Sequence, residues 1–318
     1  MIITLTMNPS VDYLYKTDRL SLGELNRVRL ATKMVGGKGI NAARVSAILG
    51  TDTTAISIIG GNNGNYILSQ IQKDKFLSDF IRTDNETRNC YVILDKKNNK
   101  TEINELGVAI EQSILIELLK KLETYIKTRD ITAISINGSL PLKCPLDFYS
   151  ELIQMIRTLD PNIKILLDTS GNALKNCLTS HSLPDIIKPN EIEIAELLGT
   201  EITTNVETLK KNIMSNQLLA DIPIIFVSLG SNGSLVKYKN EFYSIKIPKV
   251  NAINTQGSGD ATVGGILSAI NQKESFINML KYGSAAGTAN ALNVKTGFLE
   301  VGIFKAIYQD VSVSKLNH

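Results

Sequence analysis

Ile131-Thr-Ala-Ile-Ser-Ile136, then Leu146–Leu159, then Lys164-Ile-Leu-Leu-Asp168: a short β-branched run, a longer amphipathic stretch and a second short apolar run that ends in a carboxylate. The first and third read as strands and the second as a helix. The unit repeats on both sides. Ile2–Thr6 and Ala55–Ile59 read as strands, with a helix near Asn65–Lys73. Glu111–Thr128 carries Ile114, Leu115, Leu118, Leu119, Leu122 and Ile126 at helical spacing. Ile186–Lys188 and Ile224–Ser228 read as further strands around a helix at Glu191–Leu198. Strands that alternate with helices in this way predict an α/β fold, a doubly wound and mainly parallel sheet with helices on both faces.

Two regions depart from the rhythm. Val11–Tyr15 alternates as a strand and leads into a polar segment to about Met34. Thr87–Asp95 and Thr101–Leu106 flank Lys96-Lys-Asn-Asn-Lys100, a polar turn between two strands. Together, residues 11–34 and 87–107 form a small β-sheet inserted into the body. It suits a lid over a site, and equally an ordinary edge hairpin. No repeat or linker divides the chain, so residues 1–318 are expected to form one domain.

Composition narrows the function. Of the 318 residues, 43 % are apolar and 20 % charged, enough for a large core and too few charges for disorder. The net charge of +3 is too small for a nucleic-acid binder. No stretch reaches the ~20 apolar residues of a membrane helix. No basic segment and cleavage site precede a long apolar run, so no signal peptide is expected and the cytoplasm is the expected location. Cys90, Cys144 and Cys177 are too widely spaced for a zinc site and are expected to be reduced. His181 and His318 are the only histidines, which argues against histidine-based nucleophilic chemistry.

The strongest local signal is Asn254-Thr-Gln-Gly257-Ser258-Gly259-Asp260-Ala-Thr-Val-Gly-Gly, placed between a strand-like segment, Phe242–Val250, and a helix, Ser258–Ile270. Glycines at a helix start let backbone N–H groups approach an anion. The N–H groups of Ser258, Gly259 and Asp260 would be free of helix bonds. A carboxylate beside a phosphate is repelled unless it takes a proton, and removing one from a hydroxyl is such a task. A plain glycine turn with an aspartate in the first helical turn is the other reading. Gly36-Gly37-Lys38-Gly39-Ile40-Asn41, ahead of a helix at Ala42–Leu49, repeats the theme with a lysine for a phosphate and an asparagine for a hydroxyl. It is not a Walker loop, because glycine follows the lysine. Gly257-Ser-Gly259 lacks the third glycine of a dinucleotide fingerprint. Asn190-Glu-Ile-Glu193 fits a capping box, and also polar contacts to nucleotide phosphates or to their Mg²⁺ through water.

Met7-Asn-Pro-Ser-Val-Asp12, Gly36–Asn41, Lys188-Pro-Asn-Glu191, Val227-Ser-Leu-Gly230 and Gly257–Asp260 occur in one order along the chain. In that order they resemble the ribokinase-like, PfkB-type carbohydrate kinases over nearly the whole length. Asn26-Arg27, Glu86-Thr-Arg-Asn89 and Asn137-Gly-Ser-Leu-Pro141 with Asp147-Phe-Tyr149 look like the branch acting on phosphorylated ketohexoses, tagatose 6-phosphate and, as the alternative, fructose 1-phosphate. The resemblance implies ATP and Mg²⁺ as cofactors and Asp260 as catalytic base, with Gly257, Ser258 and Gly259 as anion hole. Ser258 stands where much of the wider family has alanine. Asp12, Gly37 and Asn41 would hold the sugar. Lys38 and Arg88 would grip its existing phosphate, helped by Arg27 and Ser139, with Asn89 beside them. Lys188, Asn190, Ser228, Gly230 and Gly233 would line the ATP site, Asn290 would lie near the adenine, and Asn190 and Glu193 would act on Mg²⁺ through water. A homodimer through the lid is the expected assembly.

Overall fold

The computed structural model describes residues 1–97 and 99–316; His318, and Asn98 in the expected polar turn, lie outside the described residues. β1 (Ile2–Thr6) opens a large sheet. β2 (Ser10–Lys16) and β3 (Arg29–Gly36) leave it for a small one. α1 (Lys38–Ile48) leads back to β4 (Thr53–Gly60), α2 (Gly61–Ile71) and the short strands β5 (Leu77–Ser78) and β6 (Ile81–Thr83). β7 (Arg88–Leu94) and β8 (Lys100–Asn104) complete the small sheet. The chain then runs through α3 (Gln112–Thr128), β9 (Ala133–Asn137), α4 (Phe148–Leu159), β10 (Lys164–Asp168), α5 (Gly171–Leu178), β11 (Ile186–Ile187), α6 (Glu191–Leu198), α7 (Val206–Ser215) and β12 (Ile224–Ser228). β13 (Ser234–Tyr238) and β14 (Glu241–Lys246) follow, then α8 (Ser258–Asn271), α9 (Phe276–Ala291), α10 (Val301–Asp310) and β15 (Ser312–Lys315).

The large sheet runs β15-β14-β13-β12-β11-β10-β9-β1-β4-β5, with β6 on β4. It is parallel from β12 to β5 and antiparallel through β13, β14 and β15. The central strands are buried along their length, as the apolar runs require when both faces are covered. Leu118 and Leu122 of α3, Ile153 of α4 and Leu174 of α5 pack on one face. Ala42 of α1, Ile266 of α8, Ala286 of α9 and Phe304 of α10 pack on the other. The strand order reverses at β1, which lies between β4 and β9. Ligand crevices of open α/β sheets form at such a point, outside the carboxyl ends of the strands. Here Thr6, Asn137 and Asp168 stand in register at those ends.

The small sheet has the order β3-β2-β7-β8, with β2 and β7 parallel. Tyr13, Tyr15 and Tyr91 stack along it, their ring centroids 5.4–6.4 Å apart. Two expectations change. The polar segment before Met34 ends in a full strand, β3, whose backbone pairs with β2 while most of its side chains remain exposed. The helix expected at Ala42 begins at Lys38, because Gly37, at φ 129°, caps it from outside the helical region. Gly39 then lies inside the first turn, where a Cβ would sit 2.4 Å from the Thr6 hydroxyl. Only a glycine lets α1 approach the end of β1 so closely.

Candidate active site

Gly257, at φ 75°, turns the chain into α8. The first bond of that helix runs from Ala261 N–H to the Gly257 carbonyl (2.8 Å), so the N–H groups of Gly259 and Asp260 stand ahead of it. The Ser258 N–H, expected to be free, donates to the Thr255 carbonyl (3.2 Å) and leaves the opening to the next two residues. Helix starts of this form attract anions through unpaired donors and the dipole. α8 is drawn against α1 at Gly264, where a Cβ would lie 2.6 Å from the Ala42 carbonyl. That approach brings two distant motifs together: Asn41 Nδ2 donates to Asp260 Oδ2 (2.8 Å) across 219 residues.

Around this contact lies a group of buried charges. Asp168, at the end of β10, accepts Lys188 Nζ at 3.3 Å and Lys38 Nζ at 3.4 Å on one oxygen. Lys38 also lies 3.7 Å from Glu193 Oε1. Burial works against the charge on Lys38, but Asp168, Glu193 and Asp260 outweigh it and hold its pKa above the usual lysine value. Burial likewise opposes ionisation of Asp168, and the two lysines still hold it below the usual carboxylate range. Asp260 is only 9 % exposed. Burial pushes its pKa up to about 6, with Lys38, Asn41 and Lys188 restraining the rise and Asp168 adding to it. A carboxylate poised there is a base near neutral pH.

The second cluster sits at the root of the small sheet. The parallel register sets Ser10 opposite Arg88 and Asp12 opposite Cys90, so Asp12 and Arg88 share a face. Ser10 Oγ donates to Asp12 Oδ1 (2.6 Å) and Gln256 Nε2 to Asp12 Oδ2 (3.3 Å). Burial raises the Asp12 pKa, and Ser10 and Arg88 partly offset it. Arg88 donates to the carbonyls of Asn8 (3.2 Å) and Glu105 (2.9 Å). Asn8 Nδ2 donates to Ser139 Oγ (3.2 Å), which joins Ser139 to Arg88.

The two cations expected to share the sugar's phosphate have different partners in the folded chain. Lys38 pairs with Asp168 and Glu193, and Arg88 lies among the small-sheet carbonyls. Arg27 is exposed on the loop between β2 and β3. Asn89 is engaged with Glu105 and accepts from Asn63 Nδ2, so it anchors the β7–β8 hairpin. Lys188 Nζ lies at the start of α8, where a Cβ on Gly259 would stand 3.2 Å away. Asn190 and Ser228 form a bridge between the ends of adjacent segments. Gly230 and Gly233 then make a tight turn with φ of 57° and 87°. Asn290, expected near an adenine, is 0 % exposed, and its amide holds Gln256 O, Ser258 Oγ and the N–H groups of Gly297 and Phe298. It braces the anion-hole loop from behind.

Asn190 and Glu193 form a complete capping box on α6. Asn190 Oδ1 accepts two backbone N–H groups, which leaves Glu193 Oε1 as the oxygen of the pair that faces the cleft, toward Lys38. Among the described residues no group of His, Cys, Asp and Glu holds a metal by itself. A carboxylate oxygen beside a phosphate site fits Mg²⁺, which keeps several waters and shares phosphate oxygens. The sequence reading assigned no role to Asp168, Gln256, Arg44 or Asn8. Asp168 alone carried a signal, a carboxylate at the end of a strand.

The fold sets a helix start with unpaired N–H donors beside a buried carboxylate and two lysines, an arrangement suited to an α/β enzyme that handles anions. Residues 5–300 match the model of the pfkB family carbohydrate kinases, and the chain belongs to that family, whose members use ATP to phosphorylate sugars. It is 37 % identical over 313 residues to the tagatose-6-phosphate kinase of Staphylococcus epidermidis, covering 98 % of this chain and 99 % of that one. Among solved structures it is similar to the phosphofructokinase-2 of Escherichia coli in complex with fructose-6-phosphate, with a TM-score of 0.82, 25 % identity and 97 % and 98 % of the two chains covered. The tetrameric inhibited form of that enzyme matches equally, with a TM-score of 0.82, 25 % identity and the same coverage of 97 % and 98 %. Among the described residues no helix is long and apolar enough to cross a membrane.

Proposed function

We propose that the chain transfers the γ-phosphoryl group of ATP to a hydroxyl of a phosphorylated ketohexose, with tagatose 6-phosphate as the preferred acceptor. The carrying observation is the buried Asp260, its pKa about 6, set in the first turn of α8 beside Lys38 and Lys188. In this reading Asp260 takes the proton of the attacking hydroxyl while the Gly257–Gly259 loop and the two lysines stabilise the charge on the phosphoryl group. Asp12 orients the sugar hydroxyls and Arg88 holds the phosphate already present; its planar fork suits that task. Gly37 and Ser139 line the sugar side, and Ser228, Gly230 and Gly233 the nucleotide side. Mg²⁺, when bound, neutralises phosphate charge; Glu193 would hold it through water. The identity to a tagatose-6-phosphate kinase supports the acceptor, and the likeness to an enzyme solved with fructose-6-phosphate keeps the fructose phosphates as the second reading.

The small sheet acts as a lid that closes over the sugar. Leu22, Leu25 and Val28 on its β2–β3 loop and Leu30 and Ile103 on its strands are exposed, and cover by a second copy would remove this apolar surface from water. The tetrameric form of the E. coli relative supports such assembly. Reduced, free cysteines suit a cytoplasmic enzyme.

The test is ATP consumption with Mg²⁺ against tagatose 6-phosphate, fructose 1-phosphate, fructose 6-phosphate, fructose and ribose in parallel. The highest kcat/KM is expected on tagatose 6-phosphate. Turnover of only the unphosphorylated sugars would overturn the role given to Arg88. Sedimentation of the purified chain reads the assembly, and a monomer at micromolar concentration would remove the dimer.

A further inference from the structure

Arg44 lies on α1, one turn beyond Asn41, and is only 4 % exposed. A buried guanidinium is retained only where its donors are matched. Its Nε donates to Asp74 Oδ2 (2.8 Å), in the segment after α2. Its Nη1 donates to Asn41 Oδ1 (3.0 Å) and reaches the Thr296 carbonyl at 3.5 Å. Its plane lies over the Phe298 ring, 4.6 Å from the centroid. Asp74 fixes one side of the group, Phe298 and Thr296 the others.

The consequence falls on Asn41. Its amide has one acceptor oxygen and one donor nitrogen, and either end would fit the same space. Arginine carries donors only. Arg44 therefore selects the orientation with Oδ1 turned to itself, and the amide nitrogen is left to donate to Asp260 Oδ2 at 2.8 Å. The reverse orientation would set the Asn41 oxygen against the carboxylate. Gly297 packs on the same side chain, where a Cβ would lie 2.7 Å from Asn41 Oδ1, so the amide has no room to move aside instead.

We propose that Arg44, held by Asp74, is a positioning residue that fixes the Asn41 amide so that Asp260 keeps its hydrogen-bond donor and its aim toward the attacking hydroxyl. The inference rests on Asp260 being the base. Arg44 touches neither the acceptor nor ATP; it acts through Asn41. The charged groups that face Asp260 are Lys38 from α1, Asp168 from β10 and Lys188 from the segment after β11. None of them contacts Arg44, so a change at Arg44 reaches Asp260 through the amide.

The experiment compares Arg44→Met and Arg44→Gln, each in an Asp74→Asn background so that no buried carboxylate is left unpaired, with Asp74→Asn alone as reference. Readouts are kcat, the KM values for MgATP and for tagatose 6-phosphate, and the pH profile of kcat. Methionine fills similar space without a donor; glutamine restores a donor for Asn41. The Met variant is expected to lose kcat by about tenfold, less than the ~10²–10⁴-fold of the base itself, while KM for MgATP stays within about twofold. Its acid limb should move to higher pH, because the Asn41 bond favours the ionised carboxylate. The Gln variant should recover most of both. Met and Gln variants that match each other and the Asp74→Asn reference in kcat and pH profile would overturn the proposal. Should the Met variant not fold, Asn41→Ala reads the same contact from its other side; an unshifted acid limb there would count against it. Asp260→Asn is measured in parallel: full turnover in that variant removes the base itself, whereas loss there with no effect at Arg44 removes only the positioning role.

Discussion

Lys188 Nζ and the Cα of Gly259 face each other so closely that a methyl group on the glycine would stand 3.2 Å from the ammonium. The ammonium is in turn tied to Asp168 at 3.3 Å and is nearly buried. A cation thus borders the backbone donors at the start of α8 with no room for an intervening side chain. Gly259→Ala should therefore fold, because the far end of a lysine can shift by a few tenths of an ångström. It should still lose at least about tenfold in kcat by displacing the charge from the site of the phosphoryl group. Steady-state kinetics beside a thermal melt checks this; unchanged kcat would show that the ammonium does not serve the transfer.

Asp260 must be ionised to accept a proton. Burial raises its pKa to about 6, so kcat should fall as pH drops through that value and level off above it. Asp260→Asn should lower kcat by at least ~10²-fold and abolish that limb in the residual rate. A pH–rate series on both proteins is the measurement, and a wild-type profile flat from about one unit below that pKa to about two units above it would contradict the role of this carboxylate.

Arg88→Ala should weaken binding of a phosphorylated sugar by about 1.5–3 kcal/mol, the size of a hydrogen bond to a charged group. Its contacts lie at the root of the small sheet, apart from the lysines of the anion hole, so ATP should bind as before. Titration calorimetry with each ligand separates the two, and an equal loss for both would sink the assignment.

Gln256 joins the anion-hole loop to the small sheet through Asp12. Gln256→Glu replaces a donor with a second carboxylate beside an aspartate whose pKa burial already raises. Like charges at this range should raise KM for the sugar phosphate by roughly tenfold at pH 8, with partial recovery toward acid, and leave KM for ATP within about twofold. Equal KM values for wild type and variant across that range would show that Asp12 does not meet the sugar.

Much of the large sheet was legible because its central strands are buried on both faces and so are written in unbroken apolar runs. Lys164–Asp168, Glu191–Leu198 and Ile224–Ser228 have the same bounds in the sequence reading and in the structure. β3 was not legible, since neither of its faces is fully covered and its pairing depends on β2. Asp260 and its glycines could be found from local sequence. Arg44 and Asp74 could not: they lie 30 residues apart and meet only once α1 and the segment after α2 are packed. Asn290 illustrates the reverse limit. The resemblance implies a place near the adenine, but only the folded chain shows that its amide is held by Gln256, Ser258, Gly297 and Phe298.

The chain has ten tyrosines and no tryptophan, and three of the ten are the stacked rings of Tyr13, Tyr15 and Tyr91. Near-ultraviolet dichroism is therefore dominated by phenols, and these three, like Tyr282 and Tyr308 at 5.2 Å, are close enough for their transition dipoles to couple. The small sheet thus contributes a coupled part of the signal. Any bending or twisting of its strands alters the spacing of the rings, and with it the near-ultraviolet dichroism, without a dye or an engineered residue.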